Sequence, residues 1–289
     1  MKLAIFISGP VRYLEHVISQ IESQAICIDY DFFIHVWQSD NSNKIRNNES
    51  DIKKILYNNK IKSFIIERPA SNELFIEKYG DWTNTHSTVG AMFGMFNAIN
   101  KLINCLKCDP EYDNYSHIFR IRTDIAFFNK RFFEKIDFNS NDVYLAKNYI
   151  LKPNWVSDHL MLCKKKQFES IWQVKNFDDF NKSFSFYARN PEYYLKYKVP
   201  YHSRCEIWDR YVDYHVVYNP ININDPKVLN DIIIRGKVDD IFYFTHDDST
   251  LNDILIFNQE LSKRHVNYHS LVNRIKRIVK RFINKKVAV

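Results

Sequence analysis

The chain has 289 residues, 45% of them hydrophobic and 16% aromatic, which supplies a sizeable core and excludes an intrinsically disordered protein. A length of this order fits one large domain or two small ones. The formal net charge of +7 is not spread evenly: residues 265–289 contain seven Lys and Arg and no acid, and without those seven the 41 basic residues fall to 34, equal to the 34 acids. Cys27, Cys105, Cys108, Cys163 and Cys205 are odd in number and scattered, unlike a secreted disulfide framework, and point to a reducing compartment. Cys105 and Cys108 form a C-x-x-C with no second pair to complete a four-thiolate zinc site. The opening MKLAIFISGP has too short an apolar run for an export signal, and no run approaches the ~20 residues needed to span a bilayer, so a cytoplasmic protein is expected.

Lys2 to Ile7 reads as a short buried strand, and Ser8-Gly9-Pro10-Val11-Arg12 as a tight loop into a helix over Tyr13 to Glu22. A strand, a small-residue turn and a helix N-terminus make a natural anion site, because free backbone N–H groups and the helix dipole face the loop. Arg12 would add a formal charge there. The same residues also suit a plain strand-to-helix turn. Asp31 to Trp37 is the second strand; its apolar character suits a parallel strand covered on both faces, with His35 as a hydrogen-bonded core residue. Residues 39–50 read as a loop, followed by a helix around Asp51 to Tyr57 and a third strand over Lys62 to Glu67. Asp81 to Ser87 is polar, and Thr88 to Leu106 is an amphipathic helix with Val89, Met92, Phe93, Phe96, Ile99, Ile103 and Leu106 at helical spacing.

His117 to Phe128 is a strand with charges in a regular pattern. Alternate side chains share a face, so Arg120, Arg122 and Asp124 point one way and Phe119, Ile121, Thr123 and Ile125 the other. Buried charges are costly unless paired or functional, so the row requires either acidic partners or an anionic ligand. Asp142 to Ala146 is a further strand. Trp155-Val156-Ser157-Asp158-His159 then leads into the strand Leu160 to Cys163 and the helix Lys166 to Trp172. Asp158 and His159 at the mouth of that strand suit a general base with its orienting partner, metal ligands, or two exposed polar groups of a capped loop. Phe177 to Pro200 is aromatic and basic and reads as an insertion over a cleft. Ser203 to His215 reads as a helix carrying Glu206 and Asp209, partners for the arginines or a base for an acceptor hydroxyl. Ile232 to Arg235 and Ile241 to Thr245 are late strands. Alternating strands and helices predict an α/β fold with a mainly parallel central sheet over residues 1–262.

The SGP-x-R loop, FFIHVW, R-x-R-T-D and W-x-S-D-H, in that order, resemble nucleotide-sugar-dependent glycosyltransferases of the GT-A type, in particular enzymes of bacterial capsule and lipopolysaccharide assembly with a WavE-like R-T-D strand. The resemblance spans about residues 1–250. It implies a Rossmann-like GT-A domain in which Ser8, Gly9, Arg12, Arg120, Arg122 and Asp124 bind the nucleotide-sugar donor. It implies Asp158, Glu206 and Asp209, in that order, as candidates to take the acceptor's proton, with Trp155 and His159 at the acceptor. The family's D-x-D aspartates hold Mn²⁺ or Mg²⁺. Here the triplet is Arg122-Thr123-Asp124, so Asp124 alone would hold metal, and Arg122 offers a metal-independent way to neutralise a diphosphate. A nucleotidylyltransferase and an inactive membrane-associated scaffold of the same fold are the alternatives.

Residues 263–289 read as a basic amphipathic tail helix. Leu271, Ile275, Ile278 and Phe282 form an apolar stripe beside Arg274, Arg277, Lys280 and Arg281, a pattern that binds anionic membrane surfaces. A peripheral location on the cytoplasmic face, beside a glycan or lipid-linked acceptor, is expected, with no nucleic-acid partner because the rest of the chain is charge-neutral.

Overall fold

Lys2 to Pro10 alternates apolar side chains between two faces, both of them buried, and this strand is the centre of the structure. Leu3, Ile5 and Ile7 enter one core; Ala4 and Phe6 enter a second core on the other side of the sheet. A strand covered on both faces is what a parallel α/β sheet requires. Each large apolar side chain so buried contributes about 1.5–3 kcal/mol, so these two cores are the main organising force. The structure is a computed structural model, and it describes residues 1–11, 14–38, 49–57, 60–69, 71–81, 88–127, 131–147, 155–176, 178, 191–208 and 213–216.

In chain order the elements are β1 (Lys2–Pro10), α1 (Leu14–Gln24), β2 (Asp29–Trp37), α2 (Glu49–Ile55), β3 (Ile61–Glu67), α3 (Asn72–Tyr79) and α4 (Val89–Lys107). They continue with β4 (Tyr115–Arg122), β5 (Ile125–Phe127), β6 (Val143–Ala146), β7 (Leu160–Lys164), α5 (Lys165–Trp172), α6 (Pro191–Lys198), β8 (Arg204–Trp208) and β9 (Tyr214–Val216). Seven strands form one sheet in the order β3-β2-β1-β4-β7-β6-β8, and β5 pairs with β9 in a separate ribbon. Only β7 runs against its neighbours in the main sheet. The expected α/β class with a mainly parallel sheet is therefore what the chain adopts. α1 and α2 pack on one face; α4, α5 and α6 cover the other.

α4 shows why the sequence signal was strong. Its buried residues Val89, Met92, Phe93, Phe96, Ile99, Leu102, Ile103 and Leu106 recur every three or four positions, and the Thr88 hydroxyl accepts the Ala91 N–H at 3.1 Å as N-cap. His35 is wholly buried, with Nε2 2.8 Å from Glu67 Oε1 and Lys101 also bound to Glu67. It is a core histidine bonded to a carboxylate.

Four expectations differ from the structure. β1 does not end at Ile7 but runs through Pro10, because Ser8, Gly9 and Pro10 pair with His35, Val36 and Trp37 of β2. The strand expected over His117 to Phe128 breaks at Thr123–Asp124: Thr123 Oγ1 donates to the Pro10 carbonyl at 2.5 Å while Asp124 folds back on Arg122, and β5 starts afresh at Ile125. The helix expected over Ser203 to His215 is instead a 3-10 turn followed by β8 and β9. Cys205, Ile207 and Trp208 face the core while Glu206 is exposed, so the edge of the sheet captures a segment whose apolar spacing also fits a helix. α3 was not foreseen, although Ser71 caps it by accepting the Leu74 N–H at 3.4 Å and Gly80 closes it. The late strands over 232–235 and 241–245, the loop 82–87 and the tail helix lie outside the described residues. Among the described residues, no helix is long and apolar enough to cross a membrane.

Candidate active site

From β1 the chain goes outward to β2 and β3, then returns to the other side of β1 as β4. The strand order thus reverses between β1 and β4, and in open α/β sheets the crevice outside the carboxyl ends at such a reversal is where ligands bind. Ser8 to Pro10 and Arg122 to Asp124 are the residues at those two ends; Ser8 and Arg122 are direct neighbours in the ladder. The loops are interlocked. Gly9 has φ +145°, and a Cβ there would lie 2.7 Å from Thr123 Oγ1, so only glycine lets β1 approach this close.

Because β7 is antiparallel to β4, its entrance lies at β4's exit, with Leu160 opposite Ile121. That pairing brings Asp158 and His159 to Arg122 across a long sequence separation. Arg122 holds Asp124 with two bonds, Nε to Oδ1 at 2.9 Å and Nη2 to Oδ2 at 2.7 Å, and its Nη1 lies 3.8 Å from Asp158 Oδ2. Asp124 and Asp158 are buried, whereas 23% of the Arg122 side chain meets solvent. His159 continues the chain: Nε2 is 3.9 Å from Asp158 Oδ1, and Nδ1 is 3.0 Å from the hydroxyl of Tyr214, which the β5–β9 ribbon delivers.

Arg120 lies two positions deeper on the same face of β4. Only 1% of it is exposed, its guanidinium stacks 4.8 Å from the Trp172 ring centroid, and Nε and Nη1 have no hydrogen-bond partner among the described residues. Expected among the donor-binding residues, it lies buried two positions below Arg122. Burial holds its pKa down to about 10, and the neighbouring charge of Arg122 pushes the same way, while Asp158, Asp124 and Glu192 oppose.

Glu192 was not anticipated. It stands in the first turn of α6, whose backbone is tied to the segment before β7 by the Val156 N–H donating to the Glu192 carbonyl at 3.2 Å. Burial, reinforced by the charge of Asp158, raises its carboxyl to about 8, against the pull of its own backbone N–H and of Arg122 and Arg120. The signal was present in Pro191-Glu192, a proline at the first helical position followed by an acid in the first turn. On sequence alone Pro191 reads as a break.

The other expected residues fall as follows. Trp155 stands at the rim, its ring 5.6 Å from that of Tyr193 on α6. Glu206 is exposed on the edge strand β8. Arg12, Asp209, Arg274, Arg277, Lys280 and Arg281 lie outside the described residues. The expected metal does not fit Asp124 as it stands, because both oxygens are committed to Arg122. Among the described residues no three His, Cys, Asp or Glu side chains converge to hold a metal ion.

No protein-family model matches the chain, and no curated protein matches it in sequence. Solved structures resemble it weakly. The galactosyltransferase LgtC, crystallised with donor and acceptor sugar analogues, aligns over 91% of this chain and 96% of its own at 11% identity and a TM-score of 0.44. A glycosyltransferase involved in glycosylation of the major capsid of PBCV-1 aligns over 89% and 99% at 10% identity and 0.37. The glycosyltransferase GlyE of Streptococcus pneumoniae aligns over 91% of this chain and 64% of its own at 12% identity and 0.38. Similarity at that level assigns no activity to this chain.

Proposed function

We propose that the protein is a glycosyltransferase that moves a sugar from a nucleotide-sugar donor to a glycan or lipid-linked acceptor in surface polysaccharide assembly. The observation that carries the reading is the position of Arg122: a guanidinium with access to water, clamped by Asp124, at the carboxyl end of β4 where the sheet order reverses. The resemblance of the SGP-x-R, R-T-D and W-x-S-D-H stretches supports it. Charge that develops on a departing nucleoside diphosphate is stabilised best by a cation already fixed in place, and the two bonds from Asp124 fix this one. The consecutive Asp158 and His159 stand beside Arg122, and in this proposal they would meet the acceptor hydroxyl.

The second part of the proposal concerns place. The basic, apolar-striped residues 265–289 would hold the enzyme on an anionic membrane surface at the cytoplasmic face, beside its acceptor. Deleting residues 265–289 is expected to release the protein from vesicles containing anionic lipid; unchanged vesicle binding contradicts this part.

A thermal-shift panel tests the chemistry. Nucleoside mono-, di- and triphosphates and nucleotide sugars, with and without Mn²⁺, are compared on the wild type and on Arg122→Ala. A ligand bound only by the folded state raises the melting temperature with its occupancy. Selective stabilisation by one nucleotide sugar and its diphosphate, lost in Arg122→Ala, is expected. Preference for a triphosphate alone would turn the assignment to a nucleotidylyltransferase, and no shift with any nucleotide would turn it to a scaffold.

A further inference from the structure

The ribbon of β5 and β9 begins immediately after Asp124 and brings Tyr214 to the site, paired with Phe127. Its position is fixed from several sides. The Phe127 N–H donates to Gln20 Oε1 of α1 at 2.7 Å, and the buried carboxylate of Asp213 is bound by Lys135 Nζ at 2.8 Å. Tyr214 and Val216 are wholly buried, in the core that also holds Phe127 and Trp208. The Tyr214 ring stands edge-on to His159, with centroids 5.9 Å and planes 81° apart, and its hydroxyl lies 3.0 Å from His159 Nδ1. A phenylalanine would supply the same apolar ring without burying a hydroxyl, so the oxygen is accounted for by what it bonds. His159 itself is only partly enclosed: 15% of its side chain meets solvent, and its Nε2 is 3.9 Å from Asp158 Oδ1. The other oxygen of Asp158 is 3.8 Å from Arg122 Nη1. A rigid, buried support thus ends on a ring whose second nitrogen lies beside the residues at the mouth of the site.

Resting on the glycosyl-transfer reading above, we propose that Tyr214 is a positioning residue of this site. Through its bond to Nδ1 it holds the His159 imidazole in one rotation and one tautomer, with Nε2 turned to the space beside Asp158 and Arg122 where the acceptor hydroxyl would enter. In a neutral imidazole one nitrogen donates and the other accepts. A hydroxyl held on Nδ1 therefore settles the hydrogen-bonding character of Nε2 as well, because the two nitrogens share one proton. It also stops the ring from turning over, since a half turn about the Cβ–Cγ bond would put a carbon where Nδ1 meets the hydroxyl. A side chain that touches substrate keeps a productive geometry when a second, well-packed side chain locks its rotamer. Tyr214 is distinct from the Arg122–Asp124 clamp, yet both are built on one stretch of chain: the clamp leads directly into β5, the strand that β9 pairs with. In this reading the group that meets the leaving diphosphate and the support for the group that meets the acceptor are fixed by the same turn.

The test has two arms on the full chain. In the first, the ring nitrogens of ¹⁵N-histidine-labelled protein are observed at a pH where the imidazoles are neutral, and the His159 signals are identified by their loss in His159→Gln. The wild type is expected to hold His159 in a single tautomer. Tyr214→Phe, which keeps the ring and loses the hydroxyl, is expected to show exchange between the two. The same single tautomer in Tyr214→Phe overturns the proposal, and so does a mixture in the wild type, which needs no variant to fold. In the second arm, transfer is measured with the nucleotide sugar that stabilises the wild type in the thermal-shift panel. Tyr214→Phe should lower kcat by about 10- to 100-fold with the donor-induced melting shift intact, and should add little to the loss already caused by His159→Gln. An equal loss in both backgrounds means that Tyr214 serves the fold alone and overturns the positioning role. Absence of a melting shift with every nucleotide overturns the transfer reading instead, while the nitrogen spectra still decide whether Tyr214 governs His159.

Discussion

Arg122 reaches forward two residues to grip Asp124, Nε on one oxygen and Nη2 on the other, and thereby closes the end of β4 on itself. A bidentate pair of this kind fixes the plane of the guanidinium as well as its charge. Asp124 is nearly inaccessible, so removing its carboxylate takes both hydrogen bonds from Arg122 Nε and Nη2, while Asp158 stays 3.8 Å from Nη1. Asp124→Ala is expected to cost about 3 kcal/mol, the lower end for breaking one side of a buried pair because Arg122 keeps some contact with water. Asp124→Asn, which retains an acceptor oxygen, should cost visibly less. Urea denaturation of both variants checks the order; equal midpoints for wild type and Asp124→Ala would mean that the clamp does not hold the strand end.

Gly9 and Thr123 make a second, separable prediction. A Cβ on Gly9 meets Thr123 Oγ1 at 2.7 Å, and the backbone there has φ +145°. Gly9→Ala therefore combines a steric clash with a backbone conformation that side chains disfavour, each of order 1–3 kcal/mol. Thr123→Ala removes the clashing hydroxyl but also its bond to the Pro10 carbonyl, worth about 1 kcal/mol. In a double-mutant cycle the pair should lose less than the sum of the single losses, and still be less stable than wild type because the φ strain persists. Strict additivity would show that the loops do not touch.

How much of this could be read from the sequence depended on the range of the interaction. α4 and β2 declare themselves locally, through helical spacing and a continuous apolar run. Asp158 was singled out because an aspartate and a histidine precede an apolar strand, and its partner Arg122 because charges on a buried-looking strand need explaining. Their meeting depends on β7 running antiparallel to β4, which no residue in either stretch encodes. The sealing of Arg120 likewise depends on Trp172 arriving from α5. Glu206 looked like a site residue because its neighbours fit a helix and a strand equally; the open edge of β6 decided between them. Glu192 carries the opposite lesson, since Pro191 reads from sequence as the end of an element where it begins one.

At the amino ends of the same strands lies an ion cluster that should set the acid limit of stability. Glu111 Oε2 receives Lys2 Nζ at 2.9 Å and Lys62 Nζ at 2.8 Å, and Lys2 also reaches Asp31 at 2.6 Å. The two lysines, Lys62 foremost, hold the Glu111 carboxyl down to about 2. A carboxyl depressed in the folded state binds protons more readily when unfolded, so its contribution is complete above the ordinary value near 4.5 and is lost as pH falls towards about 2. In Glu111→Gln the fall of stability across that window should be shallower, and at neutral pH the variant should be the less stable. The difference should shrink in 1 M salt because Glu111 is exposed enough to be screened. An identical acid limb in both proteins would remove Glu111 from the account.

The last prediction separates the charge of Arg120 from its volume. Its guanidinium is wholly buried, with two nitrogens unpartnered among the described residues and one face on Trp172. Replacing a whole buried ion pair by apolar groups of similar size is often neutral or stabilising by about 1–4 kcal/mol, because the desolvation cost disappears; Arg120 comes near that case, since its Nε and Nη1 make no hydrogen bond among the described residues that the substitution would break. The stacking on Trp172 offsets this by up to about 2 kcal/mol. With that cation gone, Asp158 still has Arg122 at 3.8 Å as an ionic neighbour. Arg120→Met is therefore expected to match or exceed wild-type stability by about 1–2 kcal/mol. Arg120→Ala, which leaves a void against Trp172, should lose about 2–4 kcal/mol. Calorimetric melting of the two variants decides between charge and volume. If Met is as damaging as Ala, the guanidinium is itself holding the fold together, and its place beneath Arg122 and Asp158 would be structural. If Met is tolerated in stability while activity shifts with pH, the chain keeps a costly buried charge for what it does to the carboxyls above it.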